Sequence, residues 1–255
     1  MIFDTHAHYD DEAFDEDRES LLQGMKQNGV DCIVNIGANM QTSRNTVALT
    51  EQYDFIYGAV GVHPSDVYDM TEADLETLRE WSRLDKIVAI GEIGLDYHYP
   101  DTDKALQQKW FIRQLQLARE EKLPVVIHSR DAAADTLAIM QEHGRELGGV
   151  IHCFSYTKET AKIFLDMDFS FGIGGVITFK NAKKLKEAVE YIPMDKIVIE
   201  TDCPYLSPEP NRGKRNSSLN LPYVIKAIAE LKNLSEEEVL RATYENAKKI
   251  YRIND

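Results

Sequence analysis

Short apolar runs rich in Val and Ile recur along the chain, separated by longer stretches of helical periodicity, a pattern that marks strands alternating with helices. The runs predict strands near 2–5, 31–36, 55–60, 87–91, 124–128, 149–152, 169–173 and 196–200. The amphipathic stretches predict helices at about 15–28, 41–53, 71–84, 102–121, 131–145, 157–166 and 181–191, with a final pair near 219–232 and 235–250. Several boundaries have a physical cause. Thr71-Glu72-Ala73-Asp74 and Ser235-Glu236-Glu237-Glu238 read as helix starts, where a hydroxyl meets a free amide and the acid three positions on reaches back. Pro124 and Pro193 fall where helices must stop. The runs Ile87-Val88-Ala89-Ile90, Val125-Val126-Ile127 and Ile197-Val198-Ile199 are continuously apolar, as strands of a parallel sheet covered on both faces should be. Eight strand and helix units in 255 residues average about 32 residues each, close to one βαβ unit. An α/β fold of the closed (β/α)8 TIM-barrel type fits that count better than an open doubly wound sheet. With no linker rich in Pro, Gly or Ser, residues 1–255 are expected to form one domain.

Composition narrows the field. A chain that is 43% hydrophobic and 28% charged is neither disordered nor collagen-like. Forty-three acidic against 29 basic residues give a net charge of −14, which argues against coating nucleic acid or an anionic membrane and leaves room only for a local basic patch. No apolar stretch approaches the roughly 20 residues of a bilayer span, and the opening Met1-Ile2-Phe3-Asp4 does not read as a leader. Cys32, Cys153 and Cys203 are widely spaced and suggest neither a disulfide framework nor a thiolate zinc site, only small buried side chains. A cytoplasmic protein without a membrane or an obligatory protein partner is expected.

The polar residues that matter fall at strand ends. His6 and His8 end the first predicted strand, Glu92 the fourth, His128 the fifth, His152 the sixth and Asp202 the eighth. In a barrel these ends converge on one mouth, the face where active sites lie. Imidazoles mixed with carboxylates suit zinc, manganese or a similar divalent ion, and a shared carboxylate could bridge two. Any one of them, such as His128, could instead be a satisfied buried histidine. Five of the seven histidines, counting His63, nevertheless lie at strand ends, with only His98 and His143 elsewhere.

His6-Ala7-His8 resembles the opening signature of the amidohydrolase superfamily. Gly61-Val62-His63-Pro64, Gly91-Glu92-Ile93-Gly94-Leu95-Asp96-Tyr97, His128-Ser129-Arg130, His152-Cys153-Phe154-Ser155, Glu200-Thr201-Asp202-Cys203-Pro204-Tyr205-Leu206 and Arg212-Gly213-Lys214-Arg215-Asn216 resemble segments of the TatD family of metal-dependent deoxyribonucleases. Each is weak alone; their order and spacing, from residue 2 to the last helix, are specific. The resemblance implies two divalent ions per chain, Mg2+, Mn2+ or Zn2+. His6 and His8 would hold one, completed by Asp202; His128 and His152 would hold the other; Glu92 would bridge. Superfamily branches that bridge with a modified lysine on the fourth strand fit less well, because this strand ends in Glu92.

The activity expected on this basis is phosphodiester hydrolysis by a water activated between two metals, with Asp202 as base and Glu92 setting the metal separation. His63, not needed as a ligand, would hydrogen bond the phosphate or protonate the leaving oxygen. The resemblance implies a 3′–5′ exonuclease acting on the end of single-stranded DNA or possible RNA. Hydrolysis of a small ester, amide or aminoacyl-nucleic acid bond is the alternative, since fold and metals do not define the scissile group. A metal-binding scaffold without catalysis is a third reading, set against the complete ligand set. For substrate binding, Arg212, Lys214 and Arg215 form a compact basic run after the eighth strand, and Arg130 could bind a phosphate bidentately or pair with a carboxylate. Lys180, Lys183, Lys184 and Lys186 more often mark a solvated face. Tyr97, Tyr99, Phe154 and Tyr205 could stack on bases or pack at the mouth. Much of the acidic excess falls on outer helices and in segments such as Asp10-Asp11-Glu12, while Glu92 and Asp202 would be offset by the cations they hold.

Overall fold

The computed structural model describes residues 1–253; the last two residues of the expected domain lie outside the described residues. Eight parallel strands follow one another around a single sheet: β1 (Ile2–Ala7), β2 (Val30–Ile36), β3 (Ile56–Val60), β4 (Ile87–Asp96), β5 (Val125–Arg130), β6 (Gly149–Ile151), β7 (Ser170–Ile173) and β8 (Ile197–Ile199). The helices between and after them are α1 (Arg18–Gln23), α2 (Met40–Gln52), α3 (Glu72–Ser82), α4 (Lys104–Glu121), α5 (Ala133–Ile139), α6 (Lys158–Leu165), α7 (Lys183–Tyr191), α8 (Leu221–Lys232) and α9 (Glu236–Tyr251). This is the expected TIM barrel. Both predicted capping boxes form, at Thr71 with Asp74 and at Ser235 with Glu238. No helix among the described residues is long and apolar enough to cross a membrane.

Three departures from the sequence pattern bear on the site. The first predicted helix is cut short at Gln23 by Gly24, which caps α1 and hands the chain to a separate turn over Lys26–Asn28. Helix α5 gives way to a wider turn over Met140–Gly144, which carries His143. Most important, β4 does not stop at residue 91 but runs to Asp96, because after a register shift its second half pairs with β5 from Ile93 opposite Ile127 to Asp96 opposite Arg130. Glu92 therefore sits inside a strand. Gly94 makes the extension possible: its φ is +147°, and a Cβ there would lie 1.9 Å from the carbonyl oxygen of His128.

The strands are buried except at Asp31 of β2, Tyr57 of β3 and the mouth end of β5, and the apolar side chains between sheet and helices form one large cluster. A smaller cluster joins Phe3, Val34, Val88, Val126 and Val198 to Ala247 and Tyr251 of α9. Burial of each such side chain contributes about 1.5–3 kcal/mol.

Polar contacts close the ring between β8 and β1. The Asp202 amide donates to His6 O and the His8 amide to Cys203 O, both at 2.9 Å. Asp4, fully buried, lies behind that seam: Oδ2 accepts from the hydroxyls of Thr201 (2.7 Å) and Ser218 (2.6 Å), and Oδ1 from the amides of Thr201 (3.1 Å) and His6 (3.3 Å). One carboxylate thus ties β1 to the segments that carry Asp202 and lead into α8. Asp4→Ala removes the acceptor of two hydroxyls and two amides in a dry interior, so it should lower the unfolding free energy by about 3 kcal/mol or more, measured by urea denaturation. A loss below about 1 kcal/mol would contradict this role.

Candidate metal centre

All six expected ligands arrive at one place. Glu92, 4% exposed, stands at the centre with its two oxygens facing different histidines. Oε2 lies 3.4 Å from His6 Nε2 and 4.0 Å from His8 Nε2. Oε1 lies 2.8 Å from His128 Nδ1 and 3.7 Å from His152 Nε2. Asp202 Oδ1 faces the same cluster, 3.3 Å from His8 Nε2, 3.6 Å from His6 Nε2 and 3.8 Å from His152 Nε2.

The inward nitrogens are selected by what holds the outward ones. His8 Nδ1 contacts Ile36 O at 2.9 Å, His128 Nε2 contacts Asp96 Oδ2 at 3.2 Å, and His152 Nδ1 lies 3.0 Å from Glu200 Oε1. Such partners orient an imidazole and raise its basicity as a ligand. Asp96 and Glu200 were not singled out in the sequence. The signal was present as parity: in a strand Asp96 shares the face of Glu92, and Glu200 stands two positions before Asp202. Asp96 was hidden by the apparent end of β4 at the glycine-rich segment. Glu200 is fully buried and has space only because residue 172 is glycine, where a Cβ would lie 2.0 Å from Glu200 Oε2.

The donor chemistry fits divalent metals. His6 Nε2 and His8 Nε2 are 3.1 Å apart, and subsets such as His6, His8 and Glu92, or His6, His152 and Asp202, bring one ligand atom each to within 4.8 Å of the others. Nitrogens and carboxylate oxygens so grouped suit zinc, manganese and similar ions. His63, Glu92 and His128 form another such group. The proton position sets His63 apart. The Ser65 amide donates to its Nδ1 at 3.1 Å, so the proton of the neutral ring must sit on Nε2, which lies 3.9 Å from Glu92 Oε1. Burial and the neighbouring His128 press the His63 pKa down to about 4, keeping the ring neutral.

The other charges of the cluster are coupled. Burial alone would neutralise Glu92, but His152 and His6 outweigh it and hold the carboxyl well below its ordinary range. Asp202 is likewise lowered against its burial, chiefly by His152 and His8. Burial disfavours a charged His8, yet Asp202 and Glu92 push its pKa up to about 9. For His152, Glu200 and Glu92 overcome burial and push it up to about 10.

These groups floor an open pocket of about 630 Å3 at the barrel mouth. Arg130 lines it without an ion-pair partner among the described residues. Asp10, Asp11 and Asp66 also line it, so part of the acidic excess of the chain lies on the rim of the site. Arg212, Lys214 and Arg215 are exposed outside the pocket lining. Arg212 stacks on Phe179, 4.4 Å from the ring centre. Arg215 grips Asp17 through Nη1 and Nη2 at 2.7 and 2.6 Å and lies over Phe14. Lys180, Lys183, Lys184 and Lys186 are not part of the lining either. Of the aromatics, Tyr99 and Tyr205 line the pocket, whereas Phe154 is buried against Phe171 and the Tyr97 hydroxyl donates to Asp135. Cys32 and Cys203 are buried as expected, and Cys153 is half-buried beside His152 and Glu200.

Comparison with known proteins places the whole chain in one family and one fold. The family described as TatD related DNase matches residues 3–252. The chain is 48% identical to YabD, a metal-dependent hydrolase of Bacillus subtilis (strain 168), over the full length of both. It is 36% identical to YcfH, a metal-dependent hydrolase of Escherichia coli (strain K12), covering 100% of this chain and 97% of that one. The crystal structure of YJJV, a TatD homologue of Escherichia coli K12, superposes with a TM-score of 0.93 at 30% identity, covering 99% of this chain and 98% of the other.

The raised imidazole pKa values have a sign that can be tested. A histidine at about 9 or 10 in the fold and 6.5 unfolded stabilises the protein fully below about pH 6.5, and that stabilisation fades as pH rises through 9 to 10. Chelator-treated protein should therefore lose thermal stability between pH 7 and 10. Mn2+ or Zn2+, which compete with those protons, should raise the midpoint most at the alkaline end. A level profile in chelator, or no metal-induced shift, would contradict the cluster as described.

Proposed function

The chain belongs to the TatD family of metal-dependent hydrolases, and on that premise we propose that it cleaves phosphodiester bonds at the end of a single DNA strand. The observation that carries this reading is the division of the site by Glu92, whose Oε2 faces His6 and His8 while Oε1 faces His128 and His152. His6 and His8 with Asp202 would hold one cation, His128 and His152 would hold another, and Glu92 would serve both. Two divalent ions supply, when bound, a water of lowered pKa and positive charge against the phosphoryl oxygens.

The residues of the chain do the rest. Asp202, held ionised by its histidines and with 18% of its side chain exposed to the pocket, takes the proton of the attacking water on a carboxylate oxygen. The neutral His63 donates from Nε2 to a phosphate oxygen, its tautomer held by Ser65. Arg130 meets the phosphate from the wall with a planar pair of N–H groups. Arg212, Lys214 and Arg215 would meet only phosphates beyond the pocket. The 3′ direction follows the family resemblance. A second reading, a small ester or amide substrate, is favoured by the acidic rim of Asp10, Asp11 and Asp66.

Metal-loaded protein is expected to release nucleotides from 3′-labelled single-stranded DNA faster than it hydrolyses ester or amide substrates; the reverse ranking would support the second reading. Asp202→Asn should keep at least one metal by elemental analysis and lose about 100-fold or more in kcat. An active variant would remove Asp202 from the role of base. His63→Ala should retain full metal content with activity reduced about 10-fold or more, and loss of metal would show that it ligates instead.

A further inference from the structure

The pocket holds two large exposed side chains that metal binding does not use. Tyr99 is 58% exposed and Tyr205 is 56% exposed, and both line the pocket above Glu92. They come from different parts of the ring: Tyr99 follows β4 and Tyr205 follows β8, four strands apart in an eight-stranded barrel and hence on opposite rims. Exposed aromatics scattered singly need no explanation. Two that line one pocket from opposite sides of the ring are a different case.

Neither ring is covered by the fold. The Tyr205 hydroxyl donates to Asp11 Oδ2 at 2.9 Å, which fixes the ring by its edge and leaves its faces open. Tyr99 touches the edge of His98, with ring centres 5.2 Å apart. The neighbouring aromatics have other tasks: Tyr97 bonds Asp135 and carries Lys104 over its ring, and Phe154 is 2% exposed.

The charge of the rim gives these rings a purpose. Asp10, Asp11 and Asp66 share the pocket lining with Arg130 as its one Lys or Arg side chain, so a nucleic-acid backbone finds little attraction there beyond the metals. Affinity for a strand end must then come from its bases. Stacking on aromatic faces supplies it without regard to sequence, and it requires bases that are not already paired.

We propose that Tyr99 and Tyr205 form a two-sided stacking clamp for the nucleobases flanking the scissile phosphate, which restricts the enzyme to unpaired ends and makes it tolerant of sequence. This rests on the nuclease reading above. The clamp positions substrate and takes no part in proton transfer, so its loss falls on KM.

The test uses the metal-loaded enzyme with a single-stranded oligonucleotide and with the same oligonucleotide made abasic at its terminal two nucleotides. Tyr99→Ala and Tyr205→Ala should each raise KM about 5- to 20-fold on the normal strand with a much smaller change in kcat. Phenylalanine at either position should restore most of the affinity. On the abasic strand the wild-type KM should rise towards that of the variants, and the penalty of each alanine should shrink. Unchanged KM in both alanine variants, with the strand still hydrolysed, overturns the clamp and leaves the nuclease reading intact. An equal penalty on normal and abasic strands also overturns it. No hydrolysis of any oligonucleotide by the wild type overturns both.

Discussion

A carboxylate buried as deeply as Glu92 can stay ionised only if positive charge is brought to it. Much of the molecule can be understood from that requirement. Its two oxygens need partners on two sides, and no single strand can supply them. His6 and His8 come from β1 and its end, His128 from β5, His152 from the end of β6 and His63 from beyond β3. A closed ring of parallel strands is an arrangement in which five such side chains can reach one point. Close backbone approach is part of it: Gly94 lets β4 lie against His128, and Gly172 leaves room for the carboxylate behind His152.

Around this centre stands an outer set of contacts whose common effect is to decide which nitrogen of each ring looks inward. Ile36 O, Asp96 and the Ser65 amide hold the far nitrogens of His8, His128 and His63, and Glu200 stands 3.0 Å from that of His152. Three of these partners leave the inward nitrogen free to act as a ligand, and the fourth makes it a proton donor. A donor amide in place of an acceptor thus separates His63 from its neighbours, although all five rings lie in the same cluster. His6 is placed through its backbone, which Asp4 and the Asp202 amide join to the β8 side of the seam. Stability and site geometry share those bonds.

The negative charge of the chain has a local meaning at the mouth. Asp10, Asp11 and Asp66 add negative charge on the rim, while Glu92 and Asp202, grouped with histidines on the floor, offer a place where cations could be held.

The sequence by itself determined the barrel and the convergence of the candidate ligands. Continuous apolar runs alternating with amphipathic helices require a parallel sheet covered on both faces, and six side chains able to bind metal at strand ends then have one mouth to share. The capping boxes at Thr71 and Ser235 were legible because they depend on neighbours only three residues away. What sequence could not carry were contacts between residues far apart in the chain. Strand β4 runs five residues past its predicted end because β5 pairs with it, and this brought Asp96 to His128. Arg215, a cation in a basic run, is engaged by Asp17 from near the other end of the chain. The place of Asp10 and Asp11 on the pocket rim is likewise set by the closing of the ring. Local hydrogen-bonding rules and periodicity act over a few residues, whereas the tautomer of an imidazole, the partner of a carboxylate and the open face of a tyrosine are decided by which strand ends meet.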